Sequence, residues 1–143
     1  MGKMTGEEVQ AFLAGPPVRT GKLATVRADG RAHVAPIWFD VQDDGSVYFN
    51  TGHDTVKGRN LVRNGRAALC VDDEQPPFAF VVIEGPVEIS EEPELLVRTA
   101  TRIAARYMGD EHAEEYGGRN GVPGELVVRL LPEHVNALKN LTE

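Results

Sequence analysis

The sequence lacks most of the features that would assign a chain to a specialised class of protein. Cys70 is the only cysteine among its 143 residues, so no disulfide can form within the chain. A lone cysteine is typical of proteins from a reducing compartment. No apolar run approaches the roughly 18 residues of a membrane-spanning helix, and the first residues lack the apolar stretch of a secretory signal. We therefore expect a cytoplasmic protein without a membrane partner.

Positive charge is also scarce. The net charge of −7 argues against a nucleic-acid-binding protein, because such proteins gain affinity by neutralising phosphates. An acidic chain can still bind a small anion where its few cations are gathered. Several of its 15 lysines and arginines lie within residues 19–31 and 57–66. These two stretches are the candidates for an anion site.

Arrangements of residues for metal binding or hydrolysis are missing as well. The four histidines, His33, His53, His112 and His134, are scattered, and no Cys, Asp or Glu stands at a spacing that completes a metal site. There is no serine elbow and no convincing pair of carboxylates. Cys70 lies in a predicted strand with no histidine near it in sequence, which favours an inert thiol. We therefore predict no metal and assign no catalytic side chain.

What the sequence does contain is a series of short β-prone runs separated by turn residues. An Asp-Gly pair at 29–30 predicts a hairpin, and a second turn at 43–45 extends the first three runs into an antiparallel meander. Pro36 cannot donate a ladder hydrogen bond, so its strand should lie at an edge or open locally. Gly85-Pro86 predicts a bulge within the longest strand. The six predicted strands cover residues 22–27, 33–39, 46–50, 67–71, 78–89 and 125–131.

Helices are fewer than strands. A capping box at residues 5–8 starts a short amphipathic helix over 5–13. Further helices are predicted over 55–63, 93–108 and 111–116, with a glycine-rich loop over 116–124. Too few helices separate the strands for βαβ units, which excludes a dinucleotide-binding Rossmann fold. We predict an α+β barrel in a single domain, residues 1–143.

Residues 50–60, NTGHDTVKGRN, are the most suggestive stretch for binding. They lead from a strand through a glycine-containing loop into the start of a helix, where free amides and the helix dipole favour a phosphate. Thr51 and Thr55 add hydroxyl donors, and Lys57 and Arg59 add charge. The alternative interpretation is a capped surface helix whose cations are solvated.

Residues 36–39, Pro-Ile-Trp-Phe, form a second candidate. A flat aromatic cofactor needs an apolar slot and backbone groups that are free to bond its polar edge. A strand broken by proline offers unpaired backbone beside large side chains. The alternative is an ordinary core strand with Trp38 buried.

Seven sequence segments match those of a known group of proteins. They occur in the same order and together span most of the chain. They are 24–31 (ATVRADGR), 33–39 (HVAPIWF), 51–61 (TGHDTVKGRNL), 68–73 (ALCVDD), 77–81 (PFAFV), 106–109 (RYMG) and 121–126 (GVPGEL). The chain resembles the pyridoxamine 5′-phosphate oxidase-like superfamily, in particular its deazaflavin (coenzyme F-420)-dependent reductases. The resemblance implies a six-stranded antiparallel Greek-key split β-barrel with peripheral helices, which forms a homodimer with two cofactor sites at the subunit interface.

The resemblance also implies which residues bind the cofactor. The phosphate would be held by residues of the 50–60 segment, the ring would lie against the 34–38 segment, and two phenylalanines would come from the other subunit. The full set is Val34, Ala35, Pro36, Ile37, Trp38, Asn50, Thr51, Thr55, Lys57, Gly58, Arg59, Asn60, Phe78 and Phe80. Arg63 would add charge at the phosphate, and Lys22, Arg27 and Arg31 are candidates for the oligoglutamate tail.

The activity implied is hydride transfer from reduced F-420 to a small unsaturated organic substrate. Because the cofactor carries the chemistry, this reading explains why no catalytic triad is visible. Three alternatives remain open at this point: an FMN-dependent oxidoreductase of the same fold, a non-catalytic F-420 carrier, and an interaction module that has lost its ligand.

Overall fold

The computed structural model describes residues 1–143 and contains nine strands and four helices. The strands are β1 (Gly2–Lys3), β2 (Gly21–Val26), β3 (Ala32–Ile37), β4 (Asp40–Val41), β5 (Val47–Gly52), β6 (Arg66–Asp73), β7 (Ala79–Ser90), β8 (Glu125–Leu130) and β9 (His134–Lys139). The helices are α1 (Gly6–Ala14), α2 (Val56–Asn64), α3 (Pro93–Met108) and α4 (Ala113–Asn120), with a short 3-10 turn, Asp110–His112, between the last two.

All strand pairs are antiparallel, and together they form one curled sheet in the order β3-β2-β6-β7-β8-β5-β4. β9 pairs with β7 and with β1. The twelve-residue strand β7 joins the two halves: it pairs with β6 through Pro86 and with β8 from Val87 onward. A Cβ atom on Gly85 would lie 1.9 Å from the carbonyl oxygen of Leu131, so only glycine fits where the strand changes partner. The predicted bulge is therefore wrong, because β7 runs unbroken through this change of partner.

The α+β class and the antiparallel sheet are confirmed, whereas the count of six strands is wrong. β1, β4 and β9 were not predicted. β9 follows Pro132, which was expected to end the last strand, and Ala137 is its only buried residue, so it lacks the alternation that reveals a strand. The predicted meander is also wrong beyond the first hairpin, because β5 pairs with β8 and β4 rather than with β3. Alternation defines which face of a strand is buried but does not define its partner.

Local predictions that depend on capping and turn chemistry are confirmed. Thr5 and Glu8 form the capping box of α1. Thr55 was predicted as the first residue of its helix and as a donor to a phosphate; in the structure it caps α2 by accepting a hydrogen bond from the Gly58 amide. Gly30 has φ +89° in the β2–β3 hairpin, and β3, which contains Pro36, is an edge strand of the sheet. The loop predicted over 116–124 is only partly correct, because α4 extends to Asn120. α4 packs closely on α3: a Cβ on Gly117 would lie 2.0 Å from the side chain of Thr101.

One hydrophobic core fills the inside of the curled sheet. Alternate residues of each long strand point inward, and α1 and α2 each contribute one leucine. The most completely buried core side chains include Leu23, Phe39, Phe49, Leu69 and Val128. α3 packs outside this core against β4, β5 and β8. None of the helices has both the length and the apolar composition needed to cross a bilayer.

Candidate functional site

A cleft of about 360 Å³ opens where the end of β3, the middle of β5 and the start of α2 meet α3. Its size falls within the range of small-molecule sites. Five of its lining residues belong to the predicted set, and six do not. The eleven are Thr20, Pro36, Ile37, Trp38, Asn50, Lys57, Ala100, Ile103, Ala104, Asn120 and Glu125.

Asn50 carries the most direct sign of a ligand-binding site. In β5, Val47, Phe49 and Thr51 point into the core, so alternation places Asn50 on the opposite face, which α3 covers. Both its Nδ2 and its Oδ1 atoms are buried, and neither has a hydrogen-bond partner. A buried amide without partners costs roughly 1–3 kcal/mol. A ligand with a donor and an acceptor in the cleft would remove this cost.

Lys57 lies in the first turn of α2 and lines the same cleft. It forms no ion pair within the chain, and its backbone N–H donates to no protein acceptor. The neighbouring donors are occupied, because Thr55 Oγ1 accepts from the Gly58 amide at 3.0 Å and donates to the Gly52 carbonyl at 2.8 Å. The free amide, the ammonium group and the positive end of the helix dipole favour an anion here.

The two threonines predicted to donate to a phosphate are engaged with each other. Thr51 is buried, and its hydroxyl lies 3.0 Å from that of Thr55. Thr55 is committed to capping α2. In this structure the two hydroxyls therefore hold the strand-to-helix junction together. Gly58 has the same role, since a Cβ there would lie 2.2 Å from the Gly52 carbonyl oxygen.

A carboxylate also faces the cleft. Glu125 begins β8 as the pairing partner of Gly52. Burial raises the pKa of the Glu125 carboxyl; the Lys57 ammonium partly offsets this effect, whereas Asp54 adds to it. The site therefore combines one cation with one carboxyl that is easier to protonate than usual.

Trp38 forms one wall of the cleft. Ile37 and Phe39 point into the core, so alternation turns Trp38 outward, and its side chain is 42% exposed. One face of the indole stacks on Tyr107, with ring centroids 4.8 Å apart and an angle of 4° between the planes. The alternative of a buried core tryptophan is therefore wrong. The side chain is presented to the cleft and to solvent.

The remaining predicted residues of α2 lie outside the cleft. Asn60 is buried and already satisfied, because it donates to Thr25 Oγ1 and accepts from Arg63 Nη2, both at 3.0 Å. Arg59 is exposed and donates to the Asp54 carbonyl at 2.6 Å. Arg59 and Arg63 line a second groove together with His53. Asn60 therefore supports the packing of α2 on β2. The two arginines are exposed and have no acidic partner, although Arg59 donates to the Asp54 carbonyl and Arg63 to the Val26 carbonyl and Asn60.

Four predicted residues lie elsewhere on the surface. Val34 is 68% exposed on the edge strand β3, and Ala35 beside it is half-buried. Phe78 and Phe80 line a groove of their own with Ala79 and residues 72–74. Within one chain, the structure does not bring these four side chains to the cleft that Lys57 and Trp38 share.

Sequence reasoning missed six residues of the cleft. Ala100, Ile103 and Ala104 lie within the helix predicted over 93–108, but nothing local showed what that helix covers. Thr20, Asn120 and Glu125 each lie at an element boundary distant in sequence from residues 36–57. The only signal for Asn120 and Glu125 was the adjacent glycine-rich segment. Ordering such a segment costs conformational entropy, which suggests that something packs on it.

Cys70 behaves as expected for an unreactive thiol. It is half-buried in β6, opposite Lys22 in the ladder. Burial raises the pKa of the Cys70 thiol, and Asp72 raises it further. The nucleophilic thiolate is therefore disfavoured. No cluster of three His, Cys, Asp or Glu side chains is arranged to hold a metal ion.

Comparison with known proteins identifies the family to which this fold and cleft belong. The family model described as pyridoxamine 5′-phosphate oxidase matches residues 5–139. The chain therefore belongs to the pyridoxamine 5′-phosphate oxidase family. The resemblance that its seven sequence segments carried is confirmed.

Individual relatives give a narrower picture. The chain is 39% identical over 56 residues to a 5a,11a-dehydrotetracycline/5a,11a-dehydrooxytetracycline reductase of Streptomyces rimosus, an alignment that spans 37% of this chain and 39% of the reductase. A solved conserved hypothetical protein of Mycobacterium tuberculosis aligns with a TM-score of 0.83 and 28% identity, over 98% of this chain and 89% of that one. A solved F420 reductase aligns with a TM-score of 0.68 and 25% identity, over 87% and 92%.

Proposed function

We propose that this protein is an oxidoreductase that uses the cleft beside Asn50 to bind reduced coenzyme F-420 and transfer a hydride from it to a small unsaturated organic substrate. The observation that carries the proposal is the buried, unpartnered amide of Asn50, in the same cleft as the unpaired Lys57. Both residues lack the partner that a bound anionic, hydrogen-bonding ligand would supply.

The residues present fit a deazaflavin or flavin in three ways. Lys57 and its amide suit a phosphate at the start of α2. Pro36 and Trp38 offer a flat apolar wall, and three small or branched residues of α3 face them across the cleft. The Asn50 amide can both donate to and accept from a polar ring edge. In this proposal the cofactor supplies the hydride, and the chain binds it, orients it and excludes water.

The likeness to reductases supports a reductive activity, and one of them, a solved structure, supports F-420 over FMN. The relative from Streptomyces rimosus is named as a reductase, and one structural neighbour of 25% identity is an F420 reductase. The phosphate site itself does not separate the two cofactors, because both carry a phosphorylated side chain. What separates them is the added negative tail of F-420.

The surface cations that lack a carboxylate partner indicate where that tail binds. Of the three candidates, Lys22 is already 2.7 Å from Asp72, and Arg31 is 2.8 Å from Asp29. Arg27 has no carboxylate partner and donates to the Ala32 carbonyl at 2.7 Å, so it remains a candidate. A carboxylate beside a cation offsets its charge and so weakens its attraction for a second anion. Arg59 and Arg63 have no acidic partner and line one groove. We therefore propose that this groove, rather than Lys22 and Arg31, receives the tail.

We further propose that the protein acts as a homodimer. On the outer face of β3, β2 and β6, the apolar residues Val34, Ala24 and Ala68 lie in register, and Val34 is 68% exposed. Covering this face with a second copy would bury it and would allow Phe78 and Phe80 of that copy to approach the cleft. Light scattering of the purified protein should give twice the chain mass of 15.6 kDa; the chain mass itself would contradict the dimer.

The test of the function is a pair of fluorescence titrations, with F-420 and with FMN, on the purified protein. We expect saturable binding of F-420 that is tighter than that of FMN. The protein with reduced F-420 is then mixed with a panel of enones and quinones. Oxidation of the cofactor dependent on both protein and substrate supports the enzyme, binding without oxidation indicates a carrier, and tighter FMN binding indicates the flavin-dependent alternative. No saturable binding of either cofactor would refute the proposal.

A further inference from the structure

The sequence motif at residues 106–109 ends α3, and its tyrosine lies beside the cleft without lining it. Tyr107 stacks its ring on Trp38 in a nearly parallel arrangement, with ring centroids 4.8 Å apart. Trp38 is the only tryptophan of the chain, and it forms one wall of the cleft. A wall residue with a 42% exposed side chain would otherwise be free to change rotamer.

The hydroxyl of Tyr107 fixes the backbone on both sides of this wall. It donates to the carbonyl of Arg19 at 2.8 Å, just before β2, and accepts from the amide of Phe39 at 3.3 Å, just after β3. Because Phe39 follows Trp38 directly, one hydroxyl holds the backbone next to the indole while the ring holds the indole itself.

Arg106 anchors the end of α3 that carries Tyr107. Its guanidinium donates to the carbonyls of Leu13 and Ala14 at 2.7 and 2.9 Å, at the end of α1. The same group lies 4.8 Å from the centre of the Phe39 ring. These contacts attach the C-terminal end of α3 to the end of α1 and to Phe39, just after β3. They therefore fix the position of Tyr107.

From this geometry we propose that Tyr107 is a positioning residue that holds the Trp38 indole as a rigid wall of the cleft, ready to pack against a planar ligand. The proposal rests on the proposed function for the identity of that ligand. It does not make Tyr107 a catalytic residue, because Tyr107 acts only through Trp38. A preorganised wall lowers the cost of ordering side chains on binding.

The single tryptophan allows the test to be made without ligand. Tyr107→Leu removes the stack, and Tyr107→Phe keeps it while removing both hydrogen bonds. Tyr48→Phe is the matched control, because the Tyr48 hydroxyl makes no hydrogen bond in the structure. For each variant we would record the emission and anisotropy of Trp38, the melting temperature, and the Kd for F-420.

In Tyr107→Leu we expect a red-shifted Trp38 emission, lower anisotropy and an F-420 Kd raised roughly three- to tenfold, as the loss of one aromatic stack implies. Tyr107→Phe should keep the wild-type emission and change Kd less, and Tyr48→Phe should match the wild type. If Tyr107→Leu does not fold, Tyr107→Met gives the same comparison with an unbranched side chain.

The results separate this inference from the proposed function. Wild-type emission in Tyr107→Leu would overturn the positioning role, and so would altered emission with an unchanged Kd. A lower melting temperature with neither change would indicate a purely structural tyrosine and would also overturn it. If the wild type bound no cofactor at all, the proposed function would fail, while the emission would still show whether Tyr107 fixes the indole.

Discussion

Gly58, in the first turn of α2, lies directly against the carbonyl oxygen of Gly52 at the end of β5. A Cβ atom at position 58 would come within 2.2 Å of that oxygen and 2.9 Å of Thr55 Oγ1. The approach is possible only for glycine, and it brings the start of α2, with Lys57, to the edge of the cleft. The glycine therefore determines where the cation of the site lies.

Gly58→Ala should lower the free energy of unfolding by about 1–3 kcal/mol, the usual cost of overpacking, and should weaken cofactor binding by displacing Lys57. Chemical denaturation measures the first effect. Gly118→Ala is the matched control: it is also a helical glycine, but a Cβ there meets no atom within 4 Å. Since alanine is the better helix former by about 1 kcal/mol, that variant should be as stable as the wild type or more so. Equal stability of the two variants would contradict the close approach.

Asn50→Leu should change stability and binding in opposite directions. Without ligand, removal of a buried amide that has no partner should stabilise the protein by about 1–2 kcal/mol, whereas F-420 binding should weaken because the amide is lost. Asn60→Leu is the control. Its amide is also buried but bonds Thr25 and Arg63, so its loss should destabilise the protein by about 1–3 kcal/mol. Thermal melts with and without F-420 check both signs; destabilisation of ligand-free Asn50→Leu would show that the amide is satisfied.

The sequence predicted this fold best where local chemistry alone decides the structure. The capping-box residues Thr5 and Glu8 and the turn glycine Gly30 each act within a few residues, and all three lie where the pattern indicated. The pairing of β5 with β8 and the existence of β9 depend on contacts distant in sequence. No local pattern encodes such contacts, which explains why the meander and the strand count were wrong.

The same distinction applies to the site. Trp38, Asn50 and Lys57 were found because each lies in a short segment whose chemistry is visible on its own. Glu125 and Tyr107 were given no role, because each acts on residues more than 60 positions away in sequence. Fewer polar groups are free to bind a ligand than the sequence predicted. Asn60, for example, is consumed by internal hydrogen bonds, and residue type alone cannot distinguish a free donor from an occupied one.

Lys57→Ala should weaken F-420 binding by about 1–3 kcal/mol, the range for a hydrogen bond to a charged group. It should also reduce the decrease of affinity with ionic strength, since exposed charge contacts are screened within about 10 Å at 0.1 M salt. Titrations at several salt concentrations measure both effects. Lys3→Ala, which removes the same charge from β1, outside the cleft, should leave Kd unchanged. If both variants bind alike, Lys57 does not face the ligand.

Asp44→Asn should destabilise the protein at neutral pH but not in strong acid. Hydrogen bonds from the Ser46 hydroxyl and amide, together with Arg129, lower the pKa of Asp44 from 3.8 to about 2. A lowered pKa means that the carboxylate stabilises the fold above pH 3.8 and that this contribution is lost as pH falls through about 2. Urea denaturation at several pH values should show the two proteins converging at the acid end. Asp43→Asn, next to it but without hydrogen bonds in the structure, should follow the wild type throughout.

Glu125→Gln should tighten the binding of an anionic cofactor at neutral pH. The carboxyl of Glu125 lines the cleft with Lys57, and it faces Asp54 and His53 as well. When it is ionised it repels a phosphate near Lys57 and competes for the ammonium group. Gln removes the charge while keeping the size of the side chain, so Kd should fall roughly three- to tenfold, a small fraction of the unscreened interaction between close charges.

The raised pKa of Glu125 also predicts how the affinity for the cofactor changes with pH. Because burial raises the pKa of Glu125, a larger share of the carboxyl is neutral under mildly acidic conditions than for an ordinary glutamate. Wild-type affinity should therefore rise as pH falls towards that pKa, and the rise should be smaller in Glu125→Gln. Protonation of the ligand phosphate affects both proteins equally. Any difference between the two pH profiles of Kd therefore arises from Glu125. Glu114→Gln, exposed on α4, should keep the wild-type profile, and parallel profiles for Glu125→Gln and the wild type would place the anion away from Glu125 and Lys57.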